Sequence, residues 1–177
     1  MIFRIFGIII LLAILWAIVG VYNNLVSLRS RVDDALRRIY TLLRRRKDLV
    51  PDLLVVAKSL DIDEWDAVED VAFAHGIAVA AETPAQAMQA DADLAQALDN
   101  LFEITEKNPS VASSENFTRL KDLFKKSNRE LENACKEYDE CVLAYNSGIQ
   151  KFPSRIFAGI FQFKEHEGLD ALMAASE

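Results

Sequence analysis

Two long stretches of the chain repeat apolar residues at alternating spacings of three and four. Such spacing places side chains on one helix face, and its persistence over three heptads indicates long helices packed lengthwise. The first stripe contains Leu25, Leu28, Val32, Ala35, Ile39, Leu42 and Leu49, with Arg46 as its one polar member. The second contains Phe117, Leu120, Phe124, Leu131, Ala134, Tyr138, Cys141, Tyr145, Ile149 and Phe152, with Ser127 as its polar member.

Shorter helices are predicted around and between these two. Pro51 indicates the start of a second helix, with Asp48 as its cap, because proline favours a first helical turn and disfavours helix in the residue before it. Further helices are expected from about 63 to 81, from Thr83-Pro84 to about 107, and from about 156 to 163. No strand-like alternation of any length occurs. The pattern predicts an all-α fold, an elongated antiparallel helical bundle.

The N-terminal segment Ile5–Val21 is apolar, without charge or proline. At ~1.5 Å per residue it covers ~25 Å, which is close to the hydrocarbon thickness of a bilayer. A cleavable signal peptide is the alternative, but its apolar core spans roughly 7–15 residues and needs a small-residue cleavage site that this segment lacks. We expect a transmembrane helix that continues directly into the first helix of the bundle.

This division predicts three parts: an anchor over residues 1–22, a bundle over 23–164, and a tail over 165–177 that is expected to fray. The 155 residues after the anchor suit one hydrophobic core. Cys135 and Cys141, six residues apart in a predicted helix, are expected not to pair.

Charge is distributed unevenly along the chain. Residues 1–47 contain nine Lys and Arg against two Asp, and since the whole chain carries −7, residues 48–177 carry −14. Basic residues flanking a transmembrane helix favour the cytoplasmic side, so the bundle is expected in the cytoplasm and the short N-terminus outside. An acidic body argues against nucleic acid as a partner and favours basic ones.

The basic cluster at residues 44–47 suggests three hypotheses. Binding to lipid headgroups is disfavoured, because Arg44 would lie ~33 Å along a straight helix from Tyr22, several Debye lengths of ~8 Å away. Arg29 and Arg31, ~10–14 Å along the same helix, are better placed for that role. Two interpretations stay open: Arg45, Arg46 and Asp48 hold a turn between the first two helices, or they form an exposed patch that binds an acidic partner or phosphate.

Catalytic and metal-binding patterns are weak. The acidic run from Asp61 to Asp70 lacks the turn glycine of a calcium loop, and His75 and His166 belong to no paired metal motif. There is no glycine-rich phosphate loop and no Gly-x-Ser-x-Gly elbow. We therefore expect no catalytic residue, no metal and no cofactor.

Four short motifs follow one another along the chain: Tyr22, Asn23, Leu25 and Arg29 after the apolar segment, Arg45, Arg46, Asp48 and Pro51, then Asn116 and Phe117, and finally Tyr145, Asn146, Phe152 and Pro153. In this order and position they resemble the LemA family of bacterial membrane proteins. Departures from the family pattern are Val50, Asp52, Cys135 and Asp139.

The resemblance implies a cell-membrane protein with a cytoplasmic helical bundle and no established biochemical activity. Family members are associated with membrane zinc proteases or TPM-domain proteins, and one branch acts in magnetosome membranes. The leading hypothesis is a non-enzymatic membrane-anchored scaffold with protein partners. A homo-oligomer stays open, because the apolar stripes can be covered within the bundle or by a second copy of the chain. The alternatives are a regulatory subunit of a membrane zinc protease or envelope-stress system, and an unrecognised hydrolase.

Overall fold

The computed structural model describes residues 2–59, 65–108, 111, 113–169 and 171, with side chains omitted at 2–5, 10, 11, 13, 14 and 59. Every regular element in these ranges is helical, which confirms the all-α prediction. The helices are α1 (Ile2–Ser59), α2 (Trp65–Ala80), α3 (Pro84–Glu106), α4 (Glu115–Gln150) and α5 (Ser154–Ile160).

Helix α1 is 58 residues long and contains both the apolar N-terminal segment and the first stripe. The predicted continuity of these two segments within one helix is therefore confirmed. Among the residues described, no helix meets the length and apolarity that crossing a membrane requires. Five positions of the predicted span, 5, 10, 11, 13 and 14, have side chains outside that description.

The prediction of a helix break before Pro51 is wrong, because α1 runs through Pro51 to Ser59. A proline inside a helix has no N–H for the carbonyl four residues earlier, here that of Lys47. The Nε2 atom of His75, on α2, lies 3.2 Å from the Lys47 carbonyl oxygen. Since a carbonyl can only accept, Nε2 donates the hydrogen bond that Pro51 cannot provide.

The other helix boundaries follow local chemistry. Helix α3 begins with a capping box, in which the Thr83 hydroxyl accepts from the Gln86 N–H while the Gln86 side chain accepts from the Thr83 N–H. Helix α4 begins after Ser114, whose Oγ accepts from the Phe117 N–H at 3.3 Å. The start of α3 agrees with the prediction from Thr83-Pro84.

Two compact units divide the chain. Unit 1 combines α1 up to Leu36 with residues Lys136–Gly168, and unit 2 combines Arg37–Cys135 with the residues from Leu169 onward. Both α1 and α4 contribute to each unit. No feature of the hydrophobic pattern predicts this division, because both stripes continue across it without interruption.

Unit 1 is built on an antiparallel pair formed by α1 and the end of α4. A Cβ atom at Gly148 would lie 2.9 Å from the Leu28 Cδ1 atom, so glycine permits the two helices to approach closely here. The buried apolar side chains are Leu25, Val32 and Ala35 of α1 and Tyr138, Val142, Tyr145 and Ile149 of α4, with Ala158 of α5. Both predicted stripes thus face inward in this unit.

Phe152 is an exception to the second stripe. It was predicted to be a stripe member, yet its side chain is 84% exposed. The physical reason is that α4 ends at Gln150, two residues earlier, so the helical spacing no longer determines which way Phe152 faces.

Unit 2 contains one apolar core to which α1, α2, α3 and α4 all contribute. Its largest members are Val50 and Leu53 of α1, Val68 and Val71 of α2, Leu94, Leu98, Leu101 and Phe102 of α3, and Phe117, Leu120 and Phe124 of α4. Phe102 makes edge-to-face contacts with Phe117 and Phe124, at ring-centroid distances of 6.0 and 6.1 Å.

The residues after α5 are more ordered than the predicted tail. His166 and Glu167 accept hydrogen bonds from α4 side chains, and Leu169 is buried. The expectation of fraying from residue 165 onward is therefore wrong for these positions. Residues 170 and 172–177 lie outside the described part of the chain.

Candidate functional site

The polar residue of the first stripe, Arg46, is buried in the core of unit 2 and is 2% exposed. Its Nε atom lies 3.0 Å from the Oδ1 atom of Asp91, on α3. Its guanidinium carbon lies 4.6 Å from the centre of the Phe124 ring, a cation–π contact with α4. Arg46 thus connects α1 to two other helices.

Burial dominates the electrostatics of this pair. It raises the pKa of Asp91 from 3.8 to about 6, although the Arg46 charge acts in the opposite direction. Burial likewise lowers the pKa of Arg46, and the carboxylates of Asp91 and Asp99 only partly offset it. Desolvation therefore outweighs the attraction between the two charges, as is common for buried ion pairs.

Hydrogen bonding around the pair is incomplete. Within the described part of the chain, Arg46 Nε and Nη2, Ser127 Oγ and Asn128 Oδ1 are buried without a hydrogen-bond partner. The Nε contact with Asp91 is therefore a close ion pair without an aligned hydrogen bond. Ser127 lies three residues after Phe124 on α4, so both polar members of the two stripes are buried in unit 2.

A cavity of about 210 Å³ opens beside Asp91. Its polar lining combines the Asp91 carboxylate with Tyr40, Arg44 and Lys47 of α1. Apolar side chains complete it: Leu43, Ala78, Ala81, Ala87 and Leu94. Both charge signs are present, so the lining suits a small zwitterion or water better than a bulky apolar ligand.

The open question about Arg45, Arg46 and Asp48 is partly resolved by their positions. All three lie inside α1, so the interpretation as a turn between two helices is wrong. Arg45, Asp48 and Pro51 are exposed, while Arg46 is inaccessible. Any patch at this position is therefore made by Arg45 and its exposed neighbour Arg44, without Arg46.

Tyr145 and Asn146 hold the segment that follows α5. The Tyr145 hydroxyl donates to the Lys164 carbonyl at 2.9 Å. The Asn146 side chain donates to the His166 carbonyl at 2.8 Å and accepts from the His166 N–H at 3.0 Å. The Tyr138 hydroxyl donates to the Glu167 carbonyl in the same way. These motif residues have a structural role in unit 1.

Tyr22 packs on the residues after α5. Its ring lies 5.1 Å from that of Phe161 and 6.0 Å from that of Phe163, both edge to face. Of the remaining predicted positions, Leu25 and Phe117 are buried, whereas Asn23, Arg29, Asn116, Phe152 and Pro153 are exposed.

The histidines and acidic residues form no metal site in the described part of the chain. No group of three or more His, Cys, Asp or Glu there is placed to hold a metal ion. His75 faces the Lys47 carbonyl, and the His166 ring lies 5.0 Å from that of Tyr145. Residues 61–64 of the acidic run lie outside the described residues, and Asp66, Glu69 and Asp70 are exposed.

Sequence reasoning missed Asp91 and His75 as members of these sites. A signal existed for Asp91, because it occupies a stripe position in α3 between Ala87 and Leu94, as Arg46 does in α1. A single acidic residue in one apolar stripe and a single basic residue in another are expected to pair, because a buried charge needs an opposite charge nearby. For His75 no local signal existed, since the carbonyl it meets is 28 residues away.

Helix α2 carries an exposed apolar face. Phe73 is 74% exposed, and Ile77, one turn later, is also exposed. Ile77 contributes to a shallow groove of about 370 Å³ between α2 and α3. The remaining lining is Ala80, Ala81, Gln86, Gln89, Ala90 and Asp93.

The fold and its contacts define an all-α protein of long packed helices, with a C-terminal segment fixed by Tyr145 and Asn146. The sequence profile of the LemA family matches residues 35–177. The chain belongs to the LemA family. No curated protein matches it.

Proposed function

We propose that this protein is a single-pass, membrane-anchored scaffold without enzymatic activity, whose bundle binds protein partners in the cytoplasm. The observation that carries the anchor is the bare apolar surface of the first part of α1. Seven large apolar side chains there are exposed over half or more of their surface: Phe6, Ile8, Ile9, Leu12, Leu15, Trp16 and Val19. A lipid bilayer is the environment that covers such a surface.

The change in burial along α1 supports this assignment. From Leu25 onward the apolar residues of the stripe are buried or half-buried, and most exposed positions are polar or charged, such as Arg29 and Asp33, with Val26 and Val55 as apolar exceptions. Before residue 21 the exposed positions are themselves apolar. This contrast supports the proposed change of surroundings along α1 from lipid to water. The excess of basic residues after the span favours the cytoplasmic side for the bundle.

The scaffold role rests on the exposed face of α2, formed by Phe73 and Ile77 and the adjoining groove. The surroundings are acidic, because Glu69 and Asp70 are exposed on α2 and Asp93 lines the groove. The face fits an amphipathic helix of a partner protein that offers apolar anchors with basic neighbours.

Membrane anchoring is tested with the full chain in reconstituted vesicles. After alkaline extraction and density-gradient flotation, we expect the protein to float with the lipid. A variant with Ile9→Arg and Leu12→Arg should lose flotation, because each charge at a span centre costs about 2.5–3.5 kcal/mol on insertion scales. The matched variant Arg37→Glu/Arg38→Glu, outside the span, should float. Extraction of the wild-type protein from the vesicles would contradict the anchor.

Partner binding is tested by a photo-crosslinking amino acid at Phe73 in intact cells. We expect one defined adduct whose partner segment, sequenced by mass spectrometry, is an amphipathic basic helix. The same probe at Arg129, an exposed polar position on α4, is the control. Equal adducts at both positions, or none at Phe73, would contradict the scaffold hypothesis. A zinc protease as the captured partner would favour the regulatory-subunit alternative.

A further inference from the structure

Helix α5 and its flanks expose an unusual amount of apolar surface for so short a segment. Phe152, Ile156, Ile160 and Phe161 are all exposed. Ile156 and Ile160 are four residues apart and therefore share one helix face. Ala158 points the other way and is buried. The seven-residue helix thus exposes an apolar face on the side opposite the buried Ala158.

The position of this face is set by Tyr22. The Tyr22 ring contacts Phe161 and Phe163, at centroid distances of 5.1 and 6.0 Å. Tyr22 directly follows Val21, the last residue of the apolar segment of the proposed anchor. The end of α5 therefore lies where α1 would leave the hydrocarbon, at the level where aromatic rings settle between lipid and water.

Charge points to the same surface. Residues 151–164 contain Lys151, Arg155 and Lys164 and no Asp or Glu, although residues 48–177 as a whole are strongly acidic. All three cations are exposed. Cations beside an apolar helix face favour the headgroup region of a membrane that contains anionic lipid.

We propose that α5 and its flanks form a second membrane contact, with Ile156 and Ile160 inserted in the headgroup region of the cytoplasmic leaflet beside the anchor. The inference rests on the proposed anchor, because only that anchor brings the bilayer to Tyr22. Two contacts, one spanning and one interfacial, fix the tilt of unit 1 against the membrane, which a single helix does not.

The experiment uses the full chain with both native cysteines replaced, reconstituted in vesicles of phosphatidylcholine and phosphatidylglycerol. A fluorophore on Ile160→Cys is quenched by lipids that carry a spin label at the top of the acyl chain. The matched control is Leu143→Cys, since Leu143 is 69% exposed and Ile160 66%. Leu143 lies on α4, seven residues or ~10 Å before its end near the membrane.

We expect strong quenching at Ile160 and little at Leu143, with Ile156→Cys as a second position that repeats the Ile160 result. Flotation of the same samples keeps the two proposals separate. Protein that floats without quenching at Ile160 would overturn the membrane contact and leave the anchor standing. Protein that does not float would overturn both. Equal quenching at Ile160 and Leu143 would also overturn the proposed membrane contact. Disulfide-linked dimers through Ile160→Cys without lipid quenching would overturn it as well, because they would indicate that a second copy of the chain covers this face.

Discussion

At the scale of single residues, the buried ion pair of Arg46 and Asp91 joins α1 to α3, but the desolvation of its two charges is unfavourable. Removing one partner leaves the other as an uncompensated buried charge, whereas removing both leaves only apolar contacts. We expect Arg46→Met or Asp91→Leu alone to lower the free energy of unfolding by about 3–5 kcal/mol. The double variant should return to within about 1 kcal/mol of the wild type or exceed it.

This double-mutant cycle is measured by chemical denaturation of the full chain in detergent, followed by circular dichroism. Arg45→Met is the control, because Arg45 is the exposed neighbour of Arg46, and it should change stability by less than about 0.5 kcal/mol. If the losses of the two single variants added up in the double variant, the two residues would stabilise the fold independently. That result would contradict their interaction as an ion pair.

The same carboxylate predicts how stability depends on pH. The native pKa of Asp91 is about 6, above the ordinary value of 3.8, so between these values the folded protein retains a proton that the unfolded chain has released. Since stability falls with pH where the native state binds more protons, the contribution of Asp91 should decline as pH rises from 3.8 to about 6 and be constant above.

The measurement compares the unfolding free energy of the wild type and Asp91→Asn from about pH 3 to pH 7, a range that brackets the two pKa values. The difference in unfolding free energy between the two proteins should change between pH 3.8 and about 6 and be constant above pH 6. A parallel pair of curves would mean that Asp91 titrates alike in both states.

At the scale of elements, the continuity of α1 through Pro51 depends on α2. The His75 imidazole donates to the Lys47 carbonyl that Pro51 leaves without its helical partner. His75→Leu should therefore cost about 1–3 kcal/mol of unfolding free energy, the usual penalty for a polar group left unsatisfied. In a Pro51→Ala background the cost should be smaller, because an alanine N–H can bond the same carbonyl.

The coupling between these two substitutions is again read from denaturation. Pro51→Ala alone should stabilise the protein, since it restores one helical hydrogen bond. Equal costs of His75→Leu in both backgrounds would show that His75 acts by packing and not through the Lys47 carbonyl. The control is Glu69→Leu, at an exposed position of α2. His166→Leu is unsuitable as a control because the His166 ring packs on Tyr145.

Much of this arrangement follows from local pattern. The three-four spacing predicts α1 and α4, and Thr83-Pro84 predicts the start of α3, because each signal is contained in a few neighbouring residues. Pro51 misleads for the opposite reason: the group that compensates it, His75, belongs to another helix. Arg46 and Asp91 are each visible in the sequence as a charged residue in an apolar stripe, but their pairing depends on the packing of α1 on α3.

At the scale of the whole molecule, the proposed anchor and the folded body should be separable at residue 20. None of the described side chains between residues 6 and 20 is buried, whereas Leu25 is fully buried and Tyr22 packs on Phe161. A chain that begins at Val21 should therefore keep its helical content and lose less than about 0.5 kcal/mol of unfolding free energy. It should also no longer float with vesicles.

The matched control begins at Arg29 and so removes Tyr22 and Leu25 as well. Losing a buried leucine and an aromatic contact should cost at least about 2–5 kcal/mol, measured by denaturation as before. If the shorter deletion destabilised the body as much as the longer one, the first twenty residues would be part of the fold. If the shortened protein still floated, the contact made by α5 alone would be holding the body on the membrane. That result would require Ile156 and Ile160 to insert into lipid. Repeating the flotation with Ile156→Ser and Ile160→Ser in the shortened chain would then release it.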